Sequence, residues 1–338
     1  MVVGCGALGN EVLKNLVFMG VGSLVLVDFD RIEERNLTRS VFFRRSDIGR
    51  YKADVASQRL TELNPQLHIE VIKGDICHDV GLNTIRQTDL VIGCVDSRWA
   101  RFMINRHCMR MAKPWIDGGI TMTEGTARVF IPGRNCYACN LGTEGQAELR
   151  RRMPCANIIR RMEVSGHAPT NIITASIVAA TMANEAVRLL NGNETICGKM
   201  FCYDADTRQT RLVGFEAYDE DCPEHDEWPA PEQVGLSTGS TVAEATTHGT
   251  VYLRDDVFVD YIHSRKDNRR YEMMCPGRHV AEKIDTIPEL KGIPYGDFYQ
   301  TEYRTIDASF PYQRLTLQQL GIPPGDILLT GDRTILIE

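Results

Sequence analysis

The sequence predicts an α/β fold, a doubly wound and mainly parallel Rossmann-like sheet, with a small, mostly β domain after it. Three observations carry this. A glycine-rich turn, Gly4-Cys-Gly6-Ala-Leu-Gly9, stands between a strand stub (Val2, Val3) and a helical pattern. Continuous apolar runs at 24–27 and 90–95 suit strands buried on both faces. These runs alternate with amphipathic helical stretches, as βαβ units do.

Taken in order, Leu8, Val12, Leu13, Leu16 and Val17 recur at helical spacing, and Gly20 and Gly22 end that helix. Residues 24–27 give the next strand, which ends at Asp28. Residues 52–63 read as a helix closed by Asn64-Pro65, and 67–72 alternate as a strand. Residues 89–95 form a buried strand leading into a helix over 98–111. Residues 140–168, polar and rich in Arg and Glu, break the rhythm and read as a long connection. A strong helix over 171–190 stops at Asn191-Gly192, and β-rich runs follow at 199–204 and 209–215. The chain then turns acidic and becomes rich in Pro, Ser and Thr. A linker is expected at 229–247, between one domain over 1–228 and a second over 248–338. In the second domain, 315–320 reads as a short helix, and 326–329 with 334–338 as a hairpin around Gly331-Asp332.

Composition bounds the function. At 338 residues the chain has room for two domains. Its net charge of −7 argues against a broad nucleic-acid surface. With 43% hydrophobic and 25% charged residues it falls among ordinary globular proteins. No apolar run is read as reaching the roughly 18 residues of a membrane span. The start shows no basic region of the secretory kind, so a cytoplasmic location is expected. Eleven cysteines, an odd number at uneven spacings, do not form a disulfide framework. Cys136-x-x-Cys139 and Cys222-x-x-His225 look instead like two pairs of metal ligands, and four S/N donors in two pairs suit a closed, tetrahedral, structural Zn²⁺ site.

The glycine turn supplies the first chemistry. Glycines let a phosphate approach the backbone, and the helix N-terminus adds free N–H donors. Asp28 follows at about the 20-residue spacing of a ribose-binding carboxylate. So far a nicotinamide or flavin enzyme fits as well as any other nucleotide user. Asn36, Arg39 and Lys52 separate the cases: a dehydrogenase has no need of them just after the second strand. Cations there suit the β- and γ-phosphates of ATP and a pyrophosphate leaving group. Asp96 ends an apolar strand at the sheet's C-terminal edge, where a carboxylate can hold phosphate-bound Mg²⁺.

These residues resemble the MoeB/ThiF and ubiquitin-activating enzyme family. The matching stretches are residues 2–9, D-x-D-x₅-N-x-x-R at 28–39, residues 48–52, D-x₄-R-x₃-N at 96–105, PWIDGG at 114–119 and the Cys-x-x-Cys at 136–139. The resemblance runs from residue 2 to about 228. It implies ATP and Mg²⁺ as cofactors and adenylation of the C-terminal glycine of a small ubiquitin-like or sulfur-carrier protein. By position, Gly4, Gly6 and Gly9 form the phosphate-approaching turn, and Asp28 meets the ribose. Asn36, Arg39 and Lys52 contact phosphates, and Asp96 is the magnesium and catalytic carboxylate.

Cys155, set among Arg150, Arg151, Arg152, Arg160 and Arg161, corresponds to the acyl-accepting cysteine of the crossover connection; cationic neighbours favour its thiolate. The family more often shows a second Cys-x-x-Cys where this chain has His225. Members usually begin with a helical arm that can reach a partner's site, whereas this sequence begins inside the first strand. The family habit is a homodimer.

The added C-terminal region resembles the recruiting domain of ubiquitin-type activators. Thioester formation on Cys155 and transfer to a conjugating enzyme are therefore expected. The alternatives are sulfur-carrier activation for thiamine- or molybdopterin-type chemistry, and a non-catalytic scaffold. Neither a nucleic-acid nor a membrane partner is expected. Cys275, in Cys-Pro-Gly-Arg-His, lacks the rest of a rhodanese pattern. The remaining cysteines read as core thiols.

Overall fold

A strand of only two residues joins the parallel part of the first unit's sheet. β1 (Val2–Val3) is buried and pairs in parallel on both sides, with β2 (Ser23–Val27) and with β4 (Val91–Gly93). Two residues cannot hold a strand alone, so these flanking ladders define it. The computed structural model describes residues 1–142, 145, 170–214, 218–291, 293 and 295–338. It divides into two units. The first takes Met1–Cys77, Ile85–Gly142 and the described part of 167–227; the second takes His78–Thr84 and Trp228–Glu338.

In the first unit β3 (His68–Ile72) pairs with β2, and β5 (Trp115–Ile120) with β4, both in parallel. β6 (Glu124–Phe130), β7 (Lys199–Asp204) and β8 (Gln209–Gly214) then extend the sheet antiparallel. The order is β3-β2-β1-β4-β5-β6-β7-β8. The sheet is thus parallel-rich but mixed, because β5 and β6 are joined by a tight turn in which Thr121 Oγ1 accepts from the N–H of Glu124. A tight turn can only return the chain antiparallel.

The helices fall close to their sequence-predicted spans. α1 (Ala7–Phe18) buries Leu8, Val12, Leu13, Leu16 and Val17. α2 (Lys52–Leu63) packs on β2 and β3. A short helix that the sequence reading does not place, α3, spans Leu82–Gln87. α4 (Arg98–Arg110) is capped by Ser97. α5 (Ile172–Leu190), capped by Asn171, lies on α1, β5 and β6. By length and composition α5 is apolar enough to cross a bilayer, which the reading of apolar runs did not allow. Its Ala175, Val178, Ala179, Met182 and Ala186 are all buried, so its apolarity has a packing cause. Met182 sits so close to β5 that a side chain on Gly118 would collide with its Sδ.

The second unit is mostly β, as expected. One sheet has five strands, ordered β14 (Thr305–Ile306), β10 (Val251–Tyr252), β15 (Asp326–Thr330), β16 (Arg333–Ile337) and β9 (Glu232–Leu236). The other has three antiparallel strands, with β11 (Phe258–Ser264) between β12 (Arg270–Pro276) and β13 (Phe298–Tyr303). Two short helices, α6 (Val242–Ala245) and α7 (Val280–Asp285), complete it.

Three expectations need correction. The span 229–247 is no linker: β9 pairs in parallel with β16, and Thr241 and Glu244 form a capping box on α6. Its Pro- and Ser-rich composition hid a strand whose partner lies about a hundred residues away. The boundary near 228 also leaves out residues 78–84, which belong to the second unit. There Leu82 N–H donates to Asp326 Oδ1 (3.1 Å), and Asn83 N–H to the carbonyl of Gly325 (2.9 Å). Finally, 315–320 is turn, not helix. Leu317 and Gln318 donate their N–H groups to Ser240 and Thr238 rather than up a helix.

Candidate active site and metal centre

The strand order reverses its direction of growth at β1, between β2 and β4, so the C-terminal ends of these strands border the crevice where ligands sit on such sheets. The glycine turn leaves β1 at that edge. Gly4 has φ +92°, and a Cβ there would lie 2.6 Å from the carbonyl oxygen of Cys94. A Cβ on Gly9 would run into the carbonyl oxygen of Gly4. A Cβ on Gly6 would meet nothing within 4 Å. Two of the three glycines are therefore demanded by the fold, and the third leaves open space at the start of α1. No side chain caps that helix, and its first turn holds no acidic residue. Its free N–H groups and dipole suit an anion.

Asp28 ties the turn to β2. Its Oδ2 accepts from Cys5 N–H (2.6 Å) and its Oδ1 from Asp30 N–H (2.7 Å). Burial raises its pKa, while the nearby Lys52 cation pulls it down. Lys52 Nζ donates to Asp30 Oδ2 at 2.6 Å, so in this structure the lysine is paired with a carboxylate. Asn36 Oδ1 accepts from Glu33 N–H (2.8 Å), which shapes the tight turn over Glu34–Asn36. The half-buried Arg39 makes no side-chain hydrogen bond or ion pair among the described residues. Asp96 is exposed beyond β4, next to the Ser97 cap of α4. Cys155 and its arginines lie outside the described residues.

Sequence reasoning passed over several residues that build this edge. Asn10, fully buried, donates to the Cys5 carbonyl (2.7 Å) and accepts from Phe42 N–H (3.0 Å), joining the turn to the segment after Arg39. Asp47, also buried, accepts from Arg44 N–H and from Arg50 and so folds that segment. Asp117 on β5 accepts from Arg101 Nε (2.9 Å) and from Arg128 Nε (3.1 Å). The available signal was the polar type itself. Asn10 falls at a core position of α1, and Asp117 interrupts an apolar strand.

The four proposed metal donors do come together, although two come from 136–139 and two from 222–225. Their ligand atoms all lie within 4.8 Å of one another. Cys136 Sγ is 3.7 Å from Cys139 Sγ and 3.9 Å from Cys222 Sγ, and Cys139 Sγ is 3.2 Å from His225 Nε2. Sulfurs at Zn–S distance on a tetrahedron stand about 3.8 Å apart, so the spacing and the donor chemistry both fit a structural zinc ion. Hydrogen bonds from Cys136 and then Cys222 lower the Cys139 thiol, while Cys136 and Cys222 are raised, so without a metal the cluster favours one thiolate. A thiolate is what a metal takes.

The surroundings fix the four donors. Asn105 Oδ1 accepts from Tyr137 N–H (2.9 Å) and from Trp115 Nε1 (3.3 Å). Arg106 grips Glu224 with two bonds of 2.6 Å. Tyr218 stacks on His225 at 4.3 Å. By contrast, burial raises the Cys5, Cys94 and Cys108 thiols, which suits inert core groups.

Known proteins are similar to this chain over its first two thirds. The profile of the ThiF family matches residues 1–224. The sulfur carrier protein ThiS adenylyltransferase of Escherichia coli is 29% identical over 215 residues, which is 63% of this chain and 80% of that protein. The SAMP-activating enzyme E1 of Haloferax volcanii is 28% identical over 224 residues, 66% of this chain and 78% of that protein. The probable adenylyltransferase/sulfurtransferase MoeZ of Mycobacterium tuberculosis is 29% identical, and the match spans 63% of its length. Among solved structures, E. coli MccB with ATP gives a TM-score of 0.53 at 22% identity, covering 66% of this chain and 64% of that one. That likeness concerns the fold.

Proposed function

Since the chain belongs to the ThiF family, we propose that it is an ATP-dependent adenylyltransferase that activates the C-terminal glycine of a small ubiquitin-like or sulfur-carrier protein. The observation that carries this is the glycine cradle. Gly4 and Gly9 are locked by backbone, Gly6 is open, and Asp28 fastens the turn beside β2.

The chain's residues act by positioning and charge. The turn and the start of α1 receive phosphate oxygens, and the Asp28 carboxylate retains lone pairs for ribose hydroxyls. Arg39, with no partner to give up among the described residues, meets the phosphates directly. Lys52 reaches them by exchanging its Asp30 contact for a phosphate. Asp96 holds the nucleotide's Mg²⁺ at the end of β4. The carrier's carboxylate oxygen attacks the α-phosphorus, the bond to the β-phosphate oxygen breaks, and pyrophosphate leaves with its charge neutralised. In a second step the Cys155 thiolate attacks the acyl carbon and AMP leaves. Cys136, Cys139, Cys222 and His225 would hold a structural Zn²⁺, with no position left open for substrate. The second unit recruits a conjugating enzyme, and the active form is a homodimer.

Activation for sulfur transfer is the second reading, supported by relatives named as sulfur-carrier adenylyltransferases. The two readings part on a non-reducing gel read beside a pyrophosphate-exchange assay. Protein, Mg²⁺-ATP and the small glycine-ended protein encoded nearest to it are run without reducing agent. A thiol-sensitive adduct that vanishes in Cys155→Ala supports thioester formation; carrier-dependent pyrophosphate exchange without an adduct supports adenylation alone. Asp96→Ala is expected to lower that exchange by about 100-fold or more. Unchanged exchange would remove Asp96 from the mechanism.

A further inference from the structure

The buried carboxylate of Asp117 does more than fill β5. Arg101 reaches from α4 to donate its Nε to Asp117 Oδ1 (2.9 Å) and its Nη2 to two carbonyls, Val95 (2.8 Å) and Gly118 (3.1 Å). It thereby straps the chain just beyond β4 to the middle of β5. The residue after Val95 is Asp96. Arg128 on β6 binds Asp117 Oδ2 from the other side, and its guanidinium lies 5.0 Å from the ring of Tyr137. Asp117 is 1% exposed, and the two arginine side chains are 16% and 17% exposed. One carboxylate therefore bridges and neutralises two largely buried cations, and orients the one bonded to the Val95 carbonyl just before Asp96.

We propose that Asp117 is a positioning residue for the magnesium-binding carboxylate: through Arg101 it sets the place of Val95 and hence of Asp96. The inference rests on the role of Asp96 given above. The physical reason is that a metal ligand on an exposed loop end is only as well placed as its support. In Asp117→Asn the side chain keeps its shape and one acceptor oxygen but loses its charge. The two guanidiniums then repel each other, Arg101 has no reason to hold its fork geometry, and the Val95 carbonyl is released.

The test uses Mn²⁺ with a non-hydrolysable ATP analogue, followed by the paramagnetic signal of bound manganese, on the full chain at a temperature where every variant is folded. Asp117→Asn is expected to weaken Mn²⁺ binding at least fivefold, while affinity for the metal-free analogue, which reads the glycine turn, changes less than twofold. Arg128→Met disturbs the same buried cluster but leaves the Asp117–Arg101 strap, so it is expected to lower thermal stability with less than a twofold shift in Mn²⁺ binding. Wild-type Mn²⁺ binding in Asp117→Asn, or equal weakening in Arg128→Met, overturns the proposal. If wild type binds the Mn²⁺ complex but shows no carrier-dependent exchange, the adenylation reading fails and the manganese comparison still decides the role of Asp117. If wild type binds no Mn²⁺ complex, both fall.

Discussion

The purified chain is expected to carry one zinc ion, and losing it should cost about as much stability as a large truncation in the sheet's core. The donors join 136–139 to 222–225, so the ion closes a loop of more than eighty residues that includes α5 and two strands. By chain-entropy arithmetic, a cross-link over such a loop is worth about 4.5 kcal/mol. For a unit of this size that corresponds to a fall in Tm of about 10 °C. Cys139→Ala and Cys222→Ala should each remove the zinc, measured by elemental analysis, and lower Tm by that order. Protons compete for thiolates and imidazole, so the metal should be released as pH falls and retained as it rises. A chain free of zinc whose Tm does not respond to a chelator would sink the assignment.

The glycine turn gives the second large effect, in the form of a contrast. Gly9→Ala places a methyl group against the backbone oxygen of Gly4, where no flexible side chain can yield. Either α1 shifts along its axis or β1 moves, and overpacking of that kind costs about 3 kcal/mol. Tm should fall by about 8 °C, and nucleotide binding should be lost with it. Gly6→Ala has open space. Its thermal unfolding should match wild type within about 2 °C, yet nucleotide affinity should fall at least tenfold, because the new methyl occupies the volume a phosphate would take. Calorimetry and titration of a nucleotide on both variants check this. Equal affinity for nucleotide in Gly6→Ala and wild type would remove the turn from the binding site.

Much of the candidate site could be read from residue types in order. A glycine turn, a carboxylate after the second strand and two ligand pairs are local signals, each set by what a phosphate or a metal demands of its neighbours. The roles of Asn10 and Asp117 were less legible. Their partners, Phe42 and the pair Arg101 and Arg128, are brought to them only by the folded sheet. Lys52 shows the same limit in another way, since its type and place were foreseen but its pairing with Asp30 was not.

By itself the sequence determined the parallel βαβ half and most helix spans, because helical and strand periodicities are properties of neighbouring residues. It also determined which residues could act as donors, cations and carboxylates. Only the tertiary structure decided that β9 joins β16, that residues 78–84 serve the second unit, and that β6–β8 finish the sheet antiparallel. Strand pairing is a choice between distant segments of similar apolar pattern. It is settled by which combination buries the most surface with every backbone group bonded, and no stretch of chain carries that information alone.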